Sequence, residues 1–183
     1  MLDSLKSLLH EQIKDLYNAE NQLLKALPKL AKKASSESLR AAFEGHLAET
    51  YGHVDRLAEA AQLLETKPSG KVCKAMQGLI EEGKEVLEEH GKPAVIDAAL
   101  IAAAQRVEHY EIAAYASAMS MAEELGETKV VKLLQETLDE ELGATDKLSD
   151  ISTGEVLPAS SQTETETEEA PAPTARRTPR SAR

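Results

Sequence analysis

A glutamate interrupts the apolar face of one of the longest predicted helices, and this feature constrains the fold more than any other. Glu111 lies within residues 105–115. The apolar residues around it recur at helical spacing: Ile96, Ala99, Leu100, Ala103, Val107, Tyr110, Ala114, Ala118, Met121 and Leu125. Glu108 lies one turn earlier, on the flank of the same face. A buried carboxylate is costly unless it has a partner, so a metal ion is the first candidate partner.

Three other predicted helices carry the same kind of interruption on or beside their apolar faces. The residues concerned are Glu20 in the first helix, His46, Glu49 and His53 in the second, and Glu141 in the last. Glu140, next to Glu141, is predicted to face more outward. Each long helix of the chain therefore brings at least one carboxylate towards the predicted core.

Helical periodicity covers residues 2–33, 38–65, 71–90, 93–125 and 127–151. The composition is rich in Ala, Leu, Glu and Lys, with 3% aromatic residues, which favours helix. Pro28 is expected to kink the first helix or to end its first section. The first two and the last two helices form hairpins, and the short third helix lies between them. The sequence predicts an all-α fold, a ferritin-like four-helix bundle with one long crossover containing a short extra helix.

The helical pattern stops at Ser152, where the composition changes. Residues 152–183 are low in complexity and polar, with a Thr- and Glu-rich segment followed by Pro, and they end in an arginine-rich stretch. We predict a helical-bundle domain over 1–151 and a disordered low-complexity tail over 152–183. A targeting or docking peptide is the alternative interpretation of this tail.

Charge and pattern argue against several classes of protein. The formal net charge of −11 argues against a nucleic-acid-binding protein, which needs a basic face. No apolar run approaches the roughly 18 residues of a membrane span, and the start of the chain does not resemble a signal peptide. The single Cys73 allows no internal disulfide and is interpreted as a part-buried structural thiol. We therefore expect a cytoplasmic protein with no membrane or nucleic-acid partner.

The carboxylates and histidines match the residue types of di-iron and di-manganese sites in four-helix bundles. Carboxylates can bridge two ions, and imidazole is a good neutral ligand for iron. Each residue alone also has an ordinary interpretation: Glu108 and Glu111, for example, could form ion pairs with Arg56 or Arg106. Four helices would each need such a separate explanation, so the combination predicts a metal site.

Spacing leaves the choice of histidine open. Glu49 lies three residues after His46 and four before His53, and both spacings keep side chains on one helix face. We favour His53 as the ligand, with His46 as a second ligand or an outer hydrogen-bonding residue. Thr145, one turn after Glu141, occupies the place where a second ligand from the last helix would stand.

The four tyrosines are Tyr17, Tyr51, Tyr110 and Tyr115. We interpret each as a packing residue with a hydrogen-bonded hydroxyl group. For Tyr110, which precedes Glu111, the alternatives are a hydrogen-bond donor to the site and a redox-active phenol.

Five segments, in order along the chain, carry a family resemblance: DLYNAENQL at 15–23, ALPK at 26–29, HLAET at 46–50, GLIEEG at 78–83 and EHYEIAAY at 108–115. Together they resemble the YciE/YciF family of ferritin-like stress proteins, over residues 2–151. The resemblance implies a ferritin-like bundle, a di-iron or di-manganese centre and a homodimer. Members of this family are often described as ferroxidases.

Carried over by motif, the resemblance implies the metal ligands Glu20, Glu49, His53, Glu108, Glu111 and Glu141. Family members often have Asp at the position of Thr145, so this departure is expected to weaken one metal position. The resemblance does not extend to residues 152–183.

These observations predict a protein that binds two iron ions and oxidises Fe(II) with oxygen or peroxide in a stress response. One alternative is a di-manganese enzyme that disproportionates peroxide. Another is a non-enzymatic stress or scaffold protein whose carboxylates form structural ion pairs.

Overall fold

Helices account for every regular element of the described chain. The computed structural model describes residues 2–168, with side chains through residue 162. The elements are α1 (Leu5–Lys33), α2 (Glu37–Leu63), α3 (Lys74–Glu88), α4 (Pro93–Glu124), α5 (Thr128–Ile151), a π-helical segment (Ser152–Val156) and α6 (Leu157–Glu168). These residues contain no strand, so the predicted all-α class is confirmed.

Four long helices pack as two hairpins. Helix α1 packs against α2, and α4 packs against α5. The hairpins meet through contacts of α2 with α5 and of α1 with α4, while α3 lies in the crossover and packs on α4 and α1. This is the predicted bundle with one long crossover. None of the described helices has the length and apolarity needed to span a membrane.

Side chains at the helix starts satisfy backbone N–H groups that have no partner within the helix. The Ser4 hydroxyl accepts from the backbone N of Ser7 at 3.1 Å, and Ser36 accepts from the backbone N of Leu39 at the same distance. The turn between α4 and α5 uses Gly126 at φ 72°, a conformation that favours glycine.

Pro28 does not end the first helix, because α1 continues through it to Lys33. Leu27 and Ala31, on either side of the proline, are buried in the bundle. Tertiary packing of this face therefore outweighs the backbone hydrogen bond that Pro28 removes.

The apolar core consists of two clusters. The first contains Leu23, Phe43, Leu100, Val107 and Leu148, among other residues. The second contains Leu16, Leu57, Tyr115, Leu134 and Leu138, among others. On each long helix the interrupting carboxylates or histidines lie between the residues of one cluster and those of the other. The bundle therefore has a polar layer between two apolar halves.

The structure differs from the predicted boundary at residue 151. Val156 continues the apolar stripe of Leu148 and is only 2% exposed. Ser160 donates to the carbonyl oxygen of Ala94 at 2.9 Å, and Ser36 donates to Glu155 at 2.6 Å. The structure therefore differs from the predicted tail over residues 152–162, where one buried valine and two hydrogen bonds hold the chain on the bundle. Residues 169–183 of the predicted tail lie outside the described residues.

Candidate metal centre

Five carboxylates are buried in the described part of the chain, each at most 3% exposed: Glu20, Asp97, Glu108, Glu111 and Glu141. The burial of Asp97 has an ordinary explanation, because backbone N–H groups satisfy its carboxylate. Its two oxygens accept hydrogen bonds from the backbone N of Ser35, at 2.9 Å, and of Ser36, at 2.8 Å. Asp97 thus fastens the turn between α1 and α2 to α4, and its burial is explained.

Three of the other four buried carboxylates, Glu108, Glu111 and Glu141, have far fewer partners. Both oxygens of Glu111 and Oε2 of Glu108 make no hydrogen bond with any described residue, and Glu141 has only ion-pair contacts with the two histidines. Nε2 of His46 also has no hydrogen-bond partner. Buried polar atoms without partners are rare in folded proteins, and a metal ion is one established reason for them. The residues present therefore fit a metal site.

The candidate ligand atoms fall into two groups, and within each group they lie within 4.8 Å of one another. One group contains His46, Glu108, Glu111 and Glu141, and the other contains Glu20, His53 and Glu141. Glu141 belongs to both groups. Its Oε2 lies 3.6 Å from Nε2 of His46, and its Oε1 lies 3.1 Å from Nδ1 of His53. A carboxylate whose two oxygens face different groups is suited to bridging two ions.

Each histidine also contacts a more exposed carboxylate through its other ring nitrogen. Nδ1 of His46 lies 3.3 Å from Oε2 of Glu49, and Nε2 of His53 lies 2.9 Å from Oε2 of Glu140. Histidines that bind metals usually donate their second nitrogen to a carboxylate or carbonyl, which orients the ring. Glu49 and Glu140 therefore leave Nε2 of His46 and Nδ1 of His53 facing the buried carboxylates.

Arg56 on α2 holds Glu140 in place. Its guanidinium forms an ion pair with Glu140, donates to Oγ1 of Thr137 at 2.9 Å and contacts Glu136 at 2.9 Å. The contact of Glu140 with His53 was not predicted, because Glu140 was expected to face more outward. Arg56 and Glu140 lie on helices whose contact was not predicted, so no pattern in the sequence indicated this interaction.

Tyr115 supports the opposite side of the site. It is fully buried, and its hydroxyl donates to Oε1 of Glu20 at 2.5 Å. The ring packs edge-on against His53, with centroids 6.4 Å apart. The prediction of a packed tyrosine with a hydrogen-bonded hydroxyl describes Tyr115 correctly, although its partner Glu20 was not foreseen.

Electrostatics in this layer favour a bound cation. Burial raises the pKa of Glu108, Glu111 and Glu141, and the neighbouring carboxylates raise the pKa of Glu111 further. Burial lowers the pKa of His53, but Glu141 and Glu20 outweigh this effect and raise it to about 10. Because the pKa values of these glutamates and of His53 are raised, the metal-free site retains protons. Two divalent cations would offset the charge of the four carboxylates and replace those protons.

Most of the predicted site residues converge. The structure brings together Glu20, His53, Glu108, Glu111 and Glu141, and it adds His46 to the same layer. Glu49 lies outside both groups.

Glu49 has a side chain that is 47% exposed. With Glu108 and Lys147 it borders a cavity of about 250 Å³ beside His46. Thr145 Oγ1 is buried and has no hydrogen-bond partner among the described residues. The carboxylate and imidazole donors of the two groups suit iron or manganese.

Comparison with known proteins agrees with the architecture. The family model described as "Domain of unknown function (DUF892)" matches residues 4–160. Protein YciF of Escherichia coli strain K12 is 49% identical over 148 residues, which is 79% of this chain and 87% of that protein.

Two solved structures have the same fold at substantial sequence identity. The crystal structure of the E. coli stress protein YciF superposes with a TM-score of 0.80 at 45% identity, covering 82% of this chain and 96% of that one. YcfI, described as a putative structural protein from Rhodopseudomonas palustris, gives a TM-score of 0.78 at 41% identity, covering 81% and 94%. The resemblance predicted from the five motifs is confirmed, and the chain belongs to the DUF892 family, with YciF among its relatives.

Proposed function

We propose that this protein binds two metal ions in its central layer and oxidises Fe(II) with oxygen or peroxide, as part of a stress response. The observation that carries the proposal is the position of Glu141. Its two oxygens face separate groups of buried donors, from α1 and α2 on one side and from α2 and α4 on the other. Paired metal positions of this kind act as a template for redox reactions.

The protein residues would hold both ions while their charge changes. Glu108 and Glu111 would bind on the side of His46, and Glu20 on the side of His53, with Glu141 between them. The cavity beside His46, with Glu49 at its border, is suited to entry of the cation. The two apolar clusters on either side of the layer would restrict access of water.

Anaerobic loading of the metal-free protein with Fe(II), followed by mixing with oxygen or peroxide, tests this function. We expect oxidation well above the rate of free iron, followed by stopped-flow absorbance. Glu20→Ala and Glu111→Ala should each lose this acceleration. Glu124→Gln changes an exposed glutamate on the same helix as Glu111 and should oxidise iron like the wild type. Wild-type rates in both alanine variants would contradict the proposal.

A manganese enzyme that disproportionates peroxide is the second candidate, because the same oxygen and imidazole donors suit manganese. Oxygen release from peroxide by the manganese-loaded protein would favour it over Fe(II) oxidation. A non-enzymatic role is the third candidate, because the relative YcfI is described as a putative structural protein. Absence of bound Fe and Mn after gentle purification, together with failure to take up either ion, would favour that role.

The proposal also includes the cellular compartment and the oligomeric state of the protein. Cys73 is a free thiol, which suits a reducing compartment such as the cytoplasm. We also propose a homodimer, as the family resemblance implies. Cell fractionation and light scattering of the purified protein measure the two properties directly.

A further inference from the structure

A second, partly buried polar cluster lies beside the candidate metal centre and is not used by it. It joins α1, α4 and the start of α3 through the side chains of Asp15, Tyr110 and Cys73. The hydroxyl of Tyr110 lies 2.6 Å from Oδ2 of Asp15 and 2.8 Å from Sγ of Cys73. Cys73 itself is 1% exposed.

The hydrogen bonds in this cluster have one direction. The Tyr110 hydroxyl carries a single hydrogen, which it donates to the Asp15 carboxylate. The Cys73 thiol must then donate to the Tyr110 oxygen, while its sulfur accepts from the backbone N of Met76 at 3.5 Å. The chain therefore runs from thiol to phenol to carboxylate, with each hydrogen pointing at the next acceptor.

Asp15 is kept as an acceptor by its surroundings. Lys71 lies 3.3 Å from Oδ1 of Asp15. Burial raises the pKa of Asp15, but hydrogen bonding within the cluster and the charge of Lys71 outweigh it, so this pKa lies below its ordinary value. The carboxylate is thus ionised at neutral pH and can take a proton from Tyr110.

The cluster lies within electron-transfer reach of the metal centre. Tyr110 and Glu111 are consecutive residues of α4, so their Cα atoms are about 3.8 Å apart. A phenol with a built-in proton acceptor is easier to oxidise than one in water, because its proton can leave with the electron.

We propose that Asp15, Tyr110 and Cys73 form an electron-donor site for the metal centre, an inference that rests on the proposed function. The oxidant is the partly reduced oxygen species that remains after two Fe(II) ions at the centre have given their two electrons to dioxygen. Tyr110 gives one electron to that oxidant and its phenolic proton to Oδ2 of Asp15. Cys73 then transfers the hydrogen atom of its S–H bond to the Tyr110 oxygen, which restores the O–H bond and leaves a sulfur radical.

This step would matter most with dioxygen, whose complete reduction takes more electrons than two ferrous ions supply. Two oxidising equivalents would remain, and a nearby donor would remove one of them from the centre before it damages other side chains. The cysteine at the end of the chain would hold that equivalent at a buried position.

Electron paramagnetic resonance of rapidly frozen samples tests the proposal. The full-length protein is loaded anaerobically with Fe(II) and mixed with dioxygen. Cys73→Ser keeps a hydroxyl donor but removes the oxidisable sulfur, so it should accumulate several-fold more tyrosyl radical than the wild type. Adding Tyr110→Phe to that variant should abolish the radical, and adding Asp15→Asn should strongly reduce it. Adding Tyr51→Phe, which alters an exposed tyrosine, should leave the radical unchanged.

A second arm separates failure of this inference from failure of the proposed function. The metal-free variants are oxidised photochemically by a ruthenium polypyridyl complex, which needs no iron. The same order of radical yields is expected. A Tyr110 radical in this arm alone would support the donor site and count against iron oxidation. A radical that persists in Tyr110→Phe, or no radical in either arm, would overturn the donor site.

Discussion

At the scale of single residues, the molecule buries carboxylates for two different reasons. Asp97 receives two backbone hydrogen bonds and fastens one turn to a neighbouring helix. Glu111 is equally buried and receives none. The first arrangement stabilises the fold by itself, whereas the second stabilises it only with a cation bound. Glu111 therefore has opposite effects on the metal-free and the metal-loaded protein.

Glu111→Gln should make the metal-free protein more stable and abolish stabilisation by metal. The carboxyl group of Glu111 must be either buried as a charge or protonated at neutral pH, which costs the metal-free fold about 1–3 kcal/mol. The neutral amide of glutamine removes this cost. Urea unfolding at pH 7 in the presence of a chelator measures the difference from wild type. Asp97→Asn is the control, since it changes a carboxylate with partners and should destabilise the protein under the same conditions. A metal-free Glu111→Gln protein less stable than wild type would contradict the expected penalty.

The same residues predict how stability depends on pH. In the metal-free fold the pKa values of Glu108, Glu111 and Glu141 are raised above 4.5, and that of His53 is raised from 6.5 to about 10. A raised pKa contributes stability that is complete below the unfolded value and is lost as pH rises through the folded value.

We therefore expect the metal-free wild type to lose stability, relative to Glu111→Gln, as pH rises above about 4.5. Urea midpoints of both proteins between pH 5 and 8 measure this difference. A constant gap between the two curves would show that Glu111 does not titrate in this way.

The buried acids could be found from the sequence because each one interrupts an apolar stripe. That signal identified Glu20, Glu108, Glu111 and Glu141, and the structure places them in one layer. The contact of Glu140 with His53 could not be found in this way. It depends on the rotation of α5 about its axis by a fraction of a turn, which helical periodicity does not resolve.

At the scale of elements, the packing of α2 against α5 sets the orientation of His53. Arg56 on α2 contacts two glutamates one turn apart on α5, Glu136 and Glu140. Only Glu140 also contacts the histidine. This difference offers a matched pair of substitutions on one helix.

Glu140→Gln should weaken metal binding by about 10–100-fold, since outer partners of metal-binding histidines typically have effects of this size. Glu136→Gln removes a contact of the same arginine without touching His53 and should leave the affinity within about twofold. Titration of the metal-free proteins with Mn(II) or Fe(II) measures both affinities. Equal affinities in the two variants would mean that Glu140 does not orient the histidine.

The end of α5 is a second element whose role follows from packing. A protein that ends after Ile151 lacks Val156, whereas one that ends after Gln162 keeps it. We expect the shorter protein to be less stable by about 1.5–3 kcal/mol, the contribution of one buried valine side chain. Chemical unfolding of the two truncated proteins measures this difference. Equal stability would mean that residues 152–162 contribute nothing to the bundle.

The long helices were predictable because their apolar stripes run over many turns. The segment after Ile151 was missed because a single buried residue, Val156, follows a π-helical segment that shifts the helical spacing. Of the two effects predicted for Pro28, a helix end is absent for a related reason, since the sequence reports the lost hydrogen bond but not the packing of Leu27 and Ala31 that compensates for it.

At the scale of the whole molecule, the candidate site lies where all four long helices meet. The donors come from α1, α2, α4 and α5, and the two apolar clusters lie on either side of them. Without a cation, the layer between the clusters contains carboxylates that repel one another. Binding in this layer would therefore join both hairpins and both halves of the core at once.

Metal binding should consequently stabilise the entire bundle. A ligand at 100 times its dissociation constant adds about 2.7 kcal/mol, which for a chain of this length raises Tm by about 5–10 °C. Calorimetry of the chelated protein, with and without Mn(II) or Fe(II), measures the shift. Glu111→Gln should start from a higher Tm without metal and show little further increase with it. Because α1, α2, α4 and α5 all supply donors, they should melt together in one metal-dependent transition. A metal-dependent shift confined to one hairpin would mean that the ions do not join the four helices.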